Sequence, residues 1–157
     1  MAESSALRLQ RVHELDKLAL APLLAAAEAE GHTMLRRLLD EWRSGANRFD
    51  GPGESLWGLS DAQGRWVAIG GLNLEPPPGC PGAARMRRFY VHPDWRGIGC
   101  ARRLMAAVLT AAQGRFERLH VNTLSAGGAA FWSSLGFAPV AGGHAYTHVR
   151  LLPRAAA

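Results

Sequence analysis

Lysine is almost missing from this chain. Lys17 stands alone, and every other strongly basic side chain is an arginine. The 18 basic residues still outnumber the 13 acidic ones, for a net charge of +5. That balance permits contact with nucleic acid. No Lys/Arg-rich run with interleaved aromatics supports it, so nucleic acid is not an expected partner. Cysteine is scarce too. Cys80 and Cys100 do not make a disulfide framework, and no His/Cys/Asp/Glu spacing suits a metal, so no metal is expected. No apolar run approaches the length of a membrane span, and no basic-then-apolar leader opens the sequence. The expectations are no membrane partner and a cytoplasmic location. Gly-Lys-Ser/Thr is absent, which excludes a nucleoside-triphosphate P-loop, and so is Gly-x-Gly-x-x-Gly. No internal repeat is evident.

What is present is a chain of 157 residues with 48% hydrophobic content, enough for one core. A single domain over 1–157 is expected, with 1–5 and 153–157 as loose ends. Leu7, Leu9 and Val12 suggest a first strand. Leu15 to Glu30 is Ala- and Leu-rich and reads as a helix that Pro22 kinks or restarts. Thr33 is a plausible N-cap for a second helix through Trp42. Ser44 to Glu54 is a Gly-containing loop. Ser55 to Ser60 and Trp66 to Asn73 flank Asp61-Ala62-Gln63-Gly64, a hairpin signal. Glu75 to Gly82 is a Pro-rich loop. Leu119 to Val121 reads as a short buried strand. A helix ends at Leu135, with Gly136 at its C′ position. Val140 and the alternating run His144 to Leu151 suggest the last strands.

The chain is organised around the stretch from Arg85 to Leu104. Phe89, Tyr90 and Val91 favour a strand, and Pro93 stops it. Arg96-Gly97-Ile98-Gly99 then opens a helix whose apolar positions are Ala101, Leu104, Met105, Val108 and Leu109. A Gly-containing loop feeding a helix start offers backbone N–H groups and the positive end of a dipole, which suits a phosphate.

Val91-His92-Pro93, followed by Arg96-x-x-Gly99-x-Ala101-x-x-Leu104, resembles the pyrophosphate-binding motif of the GNAT superfamily of acetyl-coenzyme A-dependent N-acetyltransferases. Ala129-Ala130-Phe131-Trp132-Ser133-Ser134-Leu135-Gly136-Phe137 is similar to the family's Phe-Tyr-x-x-Leu-Gly-Phe helix end, with Trp132 in place of Tyr. The resemblance covers about residues 5 to 151. It implies an α/β fold: a mixed, mostly antiparallel sheet of six to seven strands flanked by about four helices. It also implies a splay between the fourth and fifth strands where the coenzyme enters.

The implied reaction moves an acetyl group from acetyl-coenzyme A to the amine of a small molecule or peptide, within a ternary complex. The pyrophosphate would rest on the backbone of Ile98, Gly99, Cys100 and Ala101, beside Gly97. Arg96 and Arg102 or Arg103 would add charge, or form a solvated helix face. Pantetheine would pair with Phe89, Tyr90 and Val91 like an added strand, with Asn122, Phe131 and Trp132 nearby. Cys100, at a helix start, is read as a small residue packed under the coenzyme rather than a nucleophile.

Two departures bear on the proton chemistry. The position of the family's base Glu holds Arg85, and its acid Tyr is Trp132, whose indole only donates a hydrogen bond. Candidate substitutes are Glu75, otherwise a solvated loop carboxylate; His120, otherwise a core histidine; and Tyr146, otherwise a half-buried strand aromatic. Arg85, Arg87, Phe49 and Trp57 are expected to border the acceptor. Strand alternation puts Arg85 and Arg87 on the side of Phe89, which suggests an amino-acid-like acceptor bearing an acidic group. The alternative is an Arg85 ion pair with Glu75 or Asp94. The missing Glu and Tyr also motivate a second function, an acyl-coenzyme A sensor without turnover. A homodimer is a possible assembly.

Overall fold

The computed structural model describes residues 6–153. The proposed loose ends, apart from Leu152's neighbour Pro153, lie outside the described residues. The elements run β1 (Arg8–Arg11), α1 (Lys17–Ala29), α2 (Met34–Ser44), β2 (Ser55–Ser60), β3 (Trp66–Leu74), β4 (Ala83–Val91), α3 (Cys100–Ala112), β5 (Arg118–Val121), α4 (Ala126–Ser134), β6 (Ala138–Pro139) and β7 (His148–Leu151). The strands form one seven-stranded sheet in the order β1-β2-β3-β4-β5-β7-β6. Among the described residues only β4 and β5 pair in parallel. This is the mixed, mostly antiparallel α/β architecture expected.

Each face of the sheet carries its own apolar layer. Leu104, Met105 and Val108 of α3 and Trp132 of α4 pack on Leu72, Met86, Phe89 and Leu119. Leu20, Leu23 and Leu24 of α1 and Leu35, Leu38 and Leu39 of α2 pack on Leu56, Ile69 and Tyr90. The 3.6-residue spacing of these leucines puts them on one side of each helix, so burying them seats the helix on the sheet. Asp16 caps α1 by accepting from the Leu18 amide at 3.0 Å. The helix runs through Pro22 without restarting. Thr33 sits at the N-cap position of α2, but its side chain makes no capping bond.

One irregularity in β4 changes which way its side chains point. Ile69 pairs with Tyr90, but Gly71 pairs with Arg87, so β4 carries one extra residue against β3. Arg88 adopts a φ of 59° at this bulge. Met86 and Phe89, three apart, therefore share the α3 face. Arg87 lies opposite Gly71, whose missing Cβ would meet the Phe49 ring at 2.3 Å on the other face. The expectation that Arg85 and Arg87 share Phe89's side is corrected, because the inserted residue breaks the period of two between Arg87 and Phe89.

Two further expectations are corrected. The last strand begins at His148 and not His144. Gly142 and Gly143, the latter at a φ of 96°, precede a turn, and the rings of His144 and Tyr146 stack instead of alternating along a ladder. Trp57 does not join Phe49. It pairs with Gly70, whose Cβ would meet Phe89, so Trp57 packs on the α3 face while Phe49 packs on the α2 face.

Candidate active site

β4 and β5 are neighbours only over Ala83–Arg85 against Arg118–His120. Past that point Met86–Val91 has β3 on one side and no β5 on the other. The separation opens a cleft of about 1300 Å³ that passes through the sheet between its two faces. Phe89, Val91, Phe131 and Trp132 line it on one face, and Arg85, Arg87, Tyr90, Met34 and Arg37 on the other. Asn122, Thr123 and Ser125, beyond β5, close its far wall. A strand with one unpaired edge holds main-chain donors and acceptors ready for an extended ligand.

The start of α3 forms the floor at one end. Gly97 and Gly99 have φ values of 79° and 91°, a region glycine enters without strain. A Cβ at either would meet nothing within 4 Å, so the backbone faces open space. The first amides of a helix lack intrahelical acceptors, and Gly99, Cys100, Ala101 and Arg102 all line the cleft. Such a floor fits a pyrophosphate. Ile98 turns away and packs against the core beneath. Cys100 is buried under the floor.

Arg96 is already engaged. It donates to the Val91 carbonyl at 3.1 Å and holds the Glu30 carboxylate through two bonds of 3.0 and 2.6 Å. The Tyr90 hydroxyl donates to the same carboxylate, and Arg96 lies over the Tyr90 ring. Arg96 brings the Glu30 carboxyl down to about 2. Burial, then the hydrogen bond to Glu30, pushes the Tyr90 phenol up to about 12. This cluster ties the end of α1 to the loop before α3.

Behind Arg85 stands a second cluster. Glu75 is not solvated: its side chain is 6% exposed. Its carboxylate accepts from Arg85, whose Nε lies 3.3 Å away. Arg118 Nε donates to His120 Nε2 at 3.2 Å. The ring proton therefore sits on Nδ1 and is donated to Glu75 Oε2 at 2.8 Å. Burial pushes the His120 pKa below 6.5, against the opposing pull of Glu75. Tyr146 stacks on His120 with ring centroids 3.6 Å apart, and Arg85 lies over the Tyr146 ring. Glu75, His120 and Tyr146 thus come together one layer behind the cleft, and Arg85 is their link to it.

On the α2 face, Asn73 and Asn47 exchange side-chain hydrogen bonds at 2.9 and 3.1 Å, and Asn73 also donates to Glu54 at 2.8 Å. The Asn47 carboxamide oxygen accepts from the Phe49 amide, which fixes the loop over Gly71. Phe49 is a buried strut here and does not line the cleft.

The sequence matches the family model described as Acetyltransferase (GNAT) domain over residues 53–139. The chain belongs to the GNAT acetyltransferase family. No curated protein matches it. Among solved structures, an acetyltransferase candidate from Exiguobacterium sp. 255-15 is 26% identical with a TM-score of 0.80, over 92% of this chain and 93% of that one. A GNAT N-acetyltransferase of Escherichia coli, solved with coenzyme A, is 15% identical with a TM-score of 0.67, over 94% and 82%. An N-acetylglutamate synthase of Neisseria gonorrhoeae, solved with coenzyme A and N-acetyl-glutamate, is 18% identical with a TM-score of 0.66, over 94% of this chain but 35% of that one. Among the described residues no His/Cys/Asp/Glu group could hold a metal, and no helix is long and apolar enough to cross a membrane.

In this GNAT chain, sequence reading missed Glu30, Arg37, Arg88 and Glu41. Arg88 donates to Glu41 of α2 at 2.6 Å. Nothing local announces that pair, because Arg88 owes its position to a bulge that Arg does not favour. Ser125 was legible in principle: it caps α4 by accepting from Gly128, a Ser followed at short range by a helix.

Proposed function

We propose that this GNAT protein transfers an acetyl group from acetyl-coenzyme A to a primary amine of a small molecule, directly and within a ternary complex. The observation that carries the reading is the gap between β4 and β5, continuous with the Gly97–Arg102 helix start. The pyrophosphate rests on the amides of Gly99 to Ala101. Arg102, exposed and without an ion pair among the described residues, supplies charge there. Arg96 contributes only if it leaves Glu30. Pantetheine runs along Met86–Val91, and a strand amide polarises the thioester carbonyl.

The amine enters from the α2 face and the donor from the α3 face, so the two meet in the gap. The amine nitrogen attacks the carbonyl carbon, the C–N bond forms and the C–S bond breaks. The amine loses a proton and the thiolate gains one. Glu75 and His120 are the proposed base, reached from the gap through water because the Arg85 guanidinium stays protonated and passes no proton. Tyr146, stacked on His120, is the proposed acid. Proximity in the gap and the oxyanion donor supply much of the acceleration without a perfectly placed base. Trp132 favours a second reading, a sensor that binds acyl-coenzyme A without turnover. Its indole is buried against Phe89 and Phe137, and no phenol stands in its place.

Thiol release from acetyl-coenzyme A with a library of amines separates the two. Amine-dependent release supports transfer. Tight coenzyme binding with no release from any amine supports the sensor.

A further inference from the structure

Three guanidinium groups converge where α2 crosses the bulge of β4. Arg87 and Arg37 line the cleft, and neither has a hydrogen-bonded or ion-paired carboxylate among the described residues. Arg88, in the strained bulge conformation, gives one nitrogen to Glu41, but its Nε is buried with no acceptor among the described residues. Glu41 pairs with Arg88 and also acts on Arg87, while Arg88 and Arg37 both repel Arg87. A buried, unmet donor is costly unless something supplies its acceptor. Burial first, and then Arg88, push the Arg87 guanidinium below its ordinary value, with Arg85 and Arg37 adding to the effect. The other cations of the cleft differ. Arg85 is neutralised by Glu75 and Arg96 by Glu30, while Arg102 stands at the α3 end.

We propose that Arg87, Arg37 and Arg88 form an oxyanion site at the acceptor end of the cleft, so that the acceptor is a primary amine that also carries a carboxylate or phosphate group. The inference rests on the reading that the amine enters from the α2 face. It moves the acid-recognising role from Arg85 to Arg87. Arg87 offers a planar fork to a carboxylate, and Arg37 closes over it from α2. The same cations lower the pKa of the acceptor's amine and favour its nucleophilic form.

The test is a set of matched acceptors: α-amino acids, the amines left when their carboxylate is removed, and the corresponding aminophosphonates. Steady-state thiol release is measured with wild type, Arg87→Gln and Arg87→Lys. A charged hydrogen-bonding partner sets the scale, so kcat/KM for the carboxylate-bearing acceptor is expected to exceed that for its bare amine by about tenfold or more. Arg87→Gln reduces that ratio to near one, and Arg87→Lys restores part of it. A preference for the phosphonate over the carboxylate assigns the site to phosphorylated amines. A wild-type ratio at or below one overturns the proposal, and so does a ratio that Arg87→Gln leaves unchanged. If no amine of either kind releases thiol, transfer itself has failed. The oxyanion site is then read by calorimetry of N-acetyl amino acids against the matching N-acetyl amines, with coenzyme A present. Equal affinities there, or affinities indifferent to Arg87→Gln, overturn it. A fall in coenzyme A affinity of Arg87→Gln without a change in the acceptor ratio also overturns it, because it moves Arg87 to the donor side.

Discussion

Arg85 and His120 are the last parallel neighbours of β4 and β5, and the cleft begins immediately beyond them. Both side chains lie on one face and share the Glu75 carboxylate. The point where the sheet stops pairing is therefore also the point where the buried polar cluster meets the gap.

The floor of the gap depends on Gly99. At a φ of 91° an L side chain is strained, by roughly 1–2 kcal/mol, although a Cβ there would touch nothing. Gly99→Ala is expected to lose about that much stability in urea and to weaken coenzyme A binding by more than tenfold, since the methyl group occupies the space open to the pyrophosphate. Gly99→Val adds the stiffness of a β-branched residue and tests the same point less cleanly. Unchanged calorimetric affinity in Gly99→Ala removes this site from the coenzyme.

Gly71 serves a different purpose. A Cβ there would lie 2.3 Å from the Phe49 ring and 3.0 Å from Leu56. Phe49 is pinned by Asn47 and has little room to retreat. Gly71→Ala is expected to cost about 1–3 kcal/mol, read as a lower urea midpoint at unchanged slope. A variant as stable as wild type would show that the Phe49 loop repacks freely.

His120 makes stability depend on acid. Its folded pKa lies below 6.5, so between those two values the unfolded chain binds the proton that the folded chain refuses. Stability is then full above pH 6.5 and falls as the pH drops through that window. Protonation would also remove the acceptor that Arg118 uses. The melting temperature is expected to drop between pH 7 and about 5, and the drop should shrink in His120→Gln. An identical acid limb in both proteins would contradict the assignment.

Much of the fold was legible because its signals are local. Leucines at helical spacing marked α1 and α2, the Asp61–Gly64 turn marked the β2–β3 hairpin, and Gly97-x-Gly99 marked the start of α3. The family motif added the splay, which no periodicity reveals. What was hidden lay in long-range relations. The bulge at Arg88 reversed the side taken by Arg85 and Arg87 relative to Phe89, because side-chain direction follows register and not spacing alone. Glu75, next to a Pro-rich loop, read as solvated. The alternative of an Arg85–Glu75 ion pair is the one that formed, and only the fold adds His120 beside it. Tyr146 reached His120 through a loop and not through the strand expected for it.

The central claim is that coenzyme A lies in the gap between β4 and β5 with its pyrophosphate on the start of α3. Amide hydrogen exchange with and without coenzyme A tests it most directly. The predicted result is new protection over residues 86–91 and 98–102, with β1 and β2 unchanged. Tight binding that leaves both segments unprotected, or that protects only residues outside the cleft, would contradict it.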